Sequence, residues 1–73
     1  MMIYTLIEMV DIDIISVTPI IDRDDAERHF EAVARENDVS PIDKADWPTN
    51  HPDTLRAFAG DDAYSVELHA SNI

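Results

Sequence analysis

The first ten residues, MMIYTLIEMV, place apolar side chains on both sides of an extended chain. Successive strand residues point to opposite faces, so Tyr4, Leu6, Glu8 and Val10 fall on one side and Ile3, Thr5, Ile7 and Met9 on the other. Most of them are good strand formers. A strand that is apolar on both sides predicts a central place in a sheet, or a second face that meets a partner. A second strand is expected through Ile14, Ile15, Ser16, Val17, Thr18 and Ile20. Asp11-Ile12-Asp13 has weak turn character, so the two runs form either a hairpin, the simpler connection, or one long bent strand. Pro19 has no N–H to give to a ladder, which predicts an edge or a bulge at that end.

The period then changes from two to 3.6. Residues 22–37, DRDDAERHFEAVAREN, read as one amphipathic helix with Ala26, Phe30, Val33 and Ala34 on a single face. Asp22 is the expected N-cap, because its carboxylate can accept an N–H that the first turn leaves free. Asp24 and Asp25 lie where the helix dipole favours negative charge. Asn37 is expected at the left-handed C′ position, and Ser40-Pro41 prevents continuation. The outer face carries Glu27, Arg28, Glu31 and Arg35. The acid-first pairs Asp24–Arg28 and Glu31–Arg35 are expected to contribute about 0.2–0.5 kcal/mol each.

Residues 38–53, DVSPIDKADWPTNHPD, hold three of the four prolines and read as a connector. Ser40 as cap and Pro41 at the first helical position could open a single turn. Val39, Ile42 and Trp47 are the expected anchors of this segment to the core. TLRAFA, residues 54–59, fits either a short helix framed by Asn50 and Gly60 or a strand leading into a Gly60-Asp61-Asp62 turn; the strand reading is preferred. In the last strand Tyr64, Val66, Leu68 and Ala70 alternate with Ser65, Glu67 and His69, so one face is buried and one is wet. Ser71-Asn72-Ile73 is expected to fray. The predicted fold class is α+β: β-β-α-β-β, a mostly antiparallel sheet with one helix on one face, in a single small domain over residues 1–73. The second sheet face has no cover within the chain, which raises two-fold pairing into a homodimer.

Seventy-three residues support one small core, and a domain of this size buries only about 60% of its unfolded surface. There is no cysteine, so neither a disulfide nor a thiolate-bound metal adds to stability. Sixteen acids against five bases give a formal net charge of −11. That charge opposes direct binding to nucleic acid or to anionic lipid. It leaves a basic protein surface, a cation or concentrated salt as the natural counterpart. The apolar start of the chain is broken by Glu8, Asp11 and Asp13 and lacks a basic n-region, so neither a signal peptide nor a transmembrane helix is expected, which is compatible with the cytoplasm, including that of a virus-infected host.

Candidate chemistry is sparse. His29, His51 and His69 are the neutral nitrogen ligands, and Asp25 and His29 lie one helical turn apart, but no HExxH-type spacing supports a metal site. Asp22-Arg23-Asp24-Asp25 lacks the loop glycine and distal Glu of a calcium-binding EF-hand, and helix capping explains it better. The serines have no nucleophile-elbow context, and a single glycine, Gly60, excludes a phosphate-cradling loop. No catalytic residue, metal or cofactor is assigned, and a non-enzymatic protein is expected. Trp47, between Asp46 and Pro48, is either an interaction anchor or a loop anchor.

The acids support a sharper idea. Carboxylates fixed on a rigid scaffold can occupy the positions where a basic groove expects phosphates. The candidate partner-binding surface is Asp22, Asp24, Asp25, Glu27, Glu31, Asp61 and Asp62 with Trp47, joined by Asp11 and Asp13 if the hairpin tips lie together. A rival reading explains high Asp, high Ala and a single lysine by a cytoplasm rich in salt, in a small dimeric regulatory or housekeeping module. In size, acidity and order of elements the whole chain resembles the virus-encoded inhibitors that block CRISPR effectors, several of which mimic nucleic acid. The resemblance implies a basic groove on a nucleic-acid-binding protein as the partner. It rests on no motif and carries over no functional residue.

Overall fold

A computed structural model describes residues 1–11, 13–47, 50–61 and 63–73; Ile12, Pro48, Thr49 and Asp62 lie outside the described residues. The elements are β1 (Met2–Val10), β2 (Asp13–Ile20), α1 (Arg23–Glu36), β3 (Leu55–Gly60) and β4 (Tyr64–Asn72), with a short 3-10 turn at Lys44–Asp46. They form one antiparallel sheet in the order β2-β1-β4-β3, an α+β fold. β1 is central, as its two apolar sides require. It pairs with β2 from Tyr4 opposite Ile20 to Val10 opposite Asp13, so the first two runs make a hairpin rather than one bent strand. β2 is an edge, which accommodates Pro19, and an extra residue at Ile15 makes a bulge between the Glu8–Ser16 and Met9–Ile14 pairs.

Helix α1 connects the two edge strands across one face of the sheet. Its buried residues Ala26, Phe30 and Ala34 meet Leu6, Ala59, Val66 and Leu68, while Tyr4, Ile20, Val33, Ala57 and Tyr64 close the margin. Those from β1 and β4 are even positions, in register with Leu6 opposite Leu68 and Tyr4 opposite Ala70. Asp22 caps the helix as expected, accepting the Asp25 N–H at 2.9 Å. The C-terminus departs from expectation by one residue. Asn37 keeps φ −102°, and Asp38 takes the left-handed conformation at φ 58°. The Asp38 N–H reaches the Arg35 carbonyl, and the Val39 N–H reaches that of Ala34, which is a Schellman motif. Val39 decides the position, because it is the apolar residue buried against the last helical turn.

The connector differs from its predicted form as well. Pro41 bridges to Ala59 at the outer edge of β3 instead of opening a helix, and the 3-10 turn follows Asp43. Of the expected anchors Val39 joins the core, and the Ile42 N–H ties to β3 by donating to the Phe58 carbonyl at 2.8 Å. Trp47 stays outside the core, its Nε1–H donating to the Ile42 carbonyl at 2.9 Å within the connector. Residues 55–60 are a strand. Gly60 is required at its end, because a Cβ there would stand 2.7 Å from the Tyr64 carbonyl oxygen. Ser71 and Asn72 do not fray but pair with Ile3 and Met2. The Ile73 N–H donates to the Met1 carbonyl at 2.8 Å, and the Met1 ammonium reaches the Ile73 carbonyl at 3.0 Å. Among the described residues no helix is long and apolar enough to cross a membrane.

Candidate acidic interface

The sheet register brings the two hairpin tips to one end of the molecule. β1 ends at Val10, which faces Asp13 on one side and Tyr64 on the other. The Asp11 N–H, on a residue with φ 56°, donates to the Ala63 carbonyl at 2.9 Å and ties the tips together. In the second tip, Asp61 Oδ1 accepts the N–H groups of Ala63 and Tyr64 at 2.8 and 2.9 Å. Those two donors, Tyr64 first, hold the Asp61 carboxyl below the usual aspartate range. Asp11, Asp13 and Asp61 are thereby gathered and exposed. Residues 8–16 and 60–67 contain no lysine or arginine to neutralise them.

Helix α1 is different. Asp24, Glu27 and Glu31 are exposed on it and Asp22 precedes it, but Arg23 Nε pairs with Glu27 at 3.1 Å and Arg28 pairs with Asp25. The expected Asp24–Arg28 and Glu31–Arg35 pairs are not formed among the described residues. Asp25 meets Arg28 one residue nearer along the helix. Glu27 and Asp25 are therefore already answered by arginines, while Asp22 is occupied by capping. His29 directs Nδ1–H to the Asp25 carbonyl at 3.0 Å, so the Asp25–His29 spacing serves the backbone. Trp47 is half-buried with its indole edge-on to His51 at a centroid distance of 5.3 Å, the geometry of a loop anchor. Asp62 lies outside the described residues.

Two polar arrangements escape the sequence. Tyr64 O–H donates to Glu8 Oε1 at 2.7 Å, on the helix side of the sheet at the margin of the core. Burial first, and then this bond, push the phenol well above its ordinary pKa. On the opposite face His69 Nε2 lies 2.8 Å from Glu67 Oε1, and Nδ1 lies 2.8 Å from Thr54 Oγ1. The ring thus bridges the Glu67 carboxylate and the Thr54 hydroxyl. The relay fastens the segment before β3 to β4. The surface grooves lie elsewhere: one of about 350 Å³ runs between the end of α1 and Pro41, and one of about 270 Å³ is lined by Tyr4, Arg23, Glu27 and Arg56.

The fold and surface thus define a small α+β scaffold whose two joined hairpin tips carry acids and, in residues 8–16 and 60–67, no lysine or arginine. No protein-family model matches the chain, and comparison with curated proteins and with solved structures finds no similar sequence or fold.

Proposed function

We propose that the chain is a non-enzymatic acidic binding protein that inhibits a nucleic-acid-binding partner, of the CRISPR-effector kind, by occupying its basic groove in the cytoplasm of the host. The observation that carries this reading is the joined pair of hairpin tips. There the Asp11 backbone bonds to Ala63, Asp13 pairs with Val10 and the Asp61 carboxylate is fixed by two backbone N–H groups, with no lysine or arginine in residues 8–16 and 60–67. A phosphate mimic needs negative charge at fixed positions. Loose acidic side chains would lose ordering entropy on binding, of order 0.5–1.5 kcal/mol each. The helix acids contribute less, because two of them are paired with arginines.

The test is a triple substitution, Asp11→Asn, Asp13→Asn and Asp61→Asn. Asparagine tolerates the left-handed backbone of Asp11 and keeps an oxygen acceptor for the Asp61 turn, so the fold is retained while charge is removed. Inhibition of DNA binding by the host effector should weaken at least about tenfold, and its dependence on salt should flatten because fewer charge pairs are left to screen. Unchanged inhibition would reject the tips as the binding surface.

A second reading is favoured by a different observation. Asp22, Asp24, Asp43, Asp46 and Asp53 are also exposed, on α1, its cap and the connector rather than on the tips. One groove has no use for acids on so many sides, whereas adaptation to concentrated salt does.

A further inference from the structure

We infer that the sheet face opposite α1 is the contact surface of a homodimer, with a second copy of the chain as its occupant. The inference does not rest on the inhibitor reading. By strand alternation from the buried Leu6, the odd positions of β1 face away from the helix, and Ile3, Ile7 and Met9 therefore form an apolar row there. β2 extends the row: Val17 pairs with Ile7 and Ile14 with Met9. Ile14 is 61% exposed and Val17 57%, both far outside the helix-side core.

Charge and size select a second copy. The molecule carries net −11, yet residues 14–21, IISVTPII, include no charged side chain. On β4 the acid of this face, Glu67, is already held by His69 at 2.8 Å. A copy therefore presents a face on which two such polyanions can meet with uncharged β2 residues and a partnered Glu67, and it brings an apolar row of matching dimensions. The four strands, of nine, eight, six and nine residues, give the face a footprint of roughly 500 Å² at normal strand spacing. Counted over two copies this is about 1,000 Å², the size of a weak, reversible interface rather than an obligate one. Pairing through the β2 edge suits the chain less well, because Pro19 and the Ile15 bulge interrupt that ladder. Two sheets stacked face to face would enclose a second core, in a fold whose own core, among the described residues, fully buries one large side chain, Val66.

The test is mass by sedimentation equilibrium, at protein concentrations up to about 100 µM, in dilute buffer and in molar KCl. The expected result is a reversible dimer that tightens with salt, since screening removes repulsion between the remaining surfaces. The double substitution Ile14→Lys and Val17→Lys, at positions more than half exposed, should give a monomer with unchanged circular dichroism. A wild-type monomer in every salt overturns the inference, as does a dimer that survives the double substitution. So does a monomer that instead binds neutral phosphatidylcholine vesicles through this face.

Discussion

Asp61 shows how one side chain can serve both shape and charge. Its Oδ1 closes the second hairpin tip by accepting two backbone N–H groups, and those donors favour the ionised form. The folded-state pKa lies below the unfolded one. The linked stability is therefore complete above the ordinary aspartate value of about 3.9 and is lost as pH falls through the lower folded value. Acid unfolding followed by circular dichroism should show this dependence in the wild type, and Asp61→Asn should remove that portion of it while keeping the turn. An unchanged acid limb would mean that the bonds contribute nothing. The turn itself was legible, because Gly60-Asp61-Asp62 is a turn sequence. The Glu8–Tyr64 bond and the Thr54–His69–Glu67 relay were not. Their partners lie up to 56 residues apart, and only the strand register brings them together.

At the scale of elements, periodicity is informative where one template fits and silent where two do. The 3.6-residue repeat of Ala26, Phe30 and Ala34 admits only a helix, and the alternation from Tyr64 to Ala70 admits only a strand. TLRAFA fits both, and pairing with β4 resolves it. At the end of α1 the sequence offers two adjacent residues tolerant of the left-handed region, Asn37 and Asp38. Burial of Val39 selects the second. Asp38 then occupies a site where glycine carries no Cβ penalty. Asp38→Gly should accordingly raise the unfolding free energy, by about 0.5–1 kcal/mol in urea denaturation, despite the greater freedom it gives the unfolded chain. A loss of stability would show that the aspartate side chain makes a compensating contribution.

For the molecule as a whole, composition gave the charge but not its arrangement. The sequence could not tell that antiparallel pairing of β1 with β4 would collect acids from residues 8–16 and 60–67 at one end, or that Arg23 and Arg28 would quench the helix. The net −11 remains a source of self-repulsion. In the inhibitor reading, a thermal melt at low protein concentration should gain most of its salt stabilisation by about 0.15 M KCl, where the Debye length has fallen to about 8 Å. A rise in melting temperature that continues steeply into molar KCl would favour adaptation to salt.

The clasp between Met1 and Ile73 has a practical corollary. It sits at the pole of the sheet remote from Asp11 and Asp61, since β1 runs from one to the other. Any segment fused to either terminus emerges at that pole, so a chain tethered there to a bead or a fluorophore still displays its carboxylate-bearing end to whatever approaches from solution.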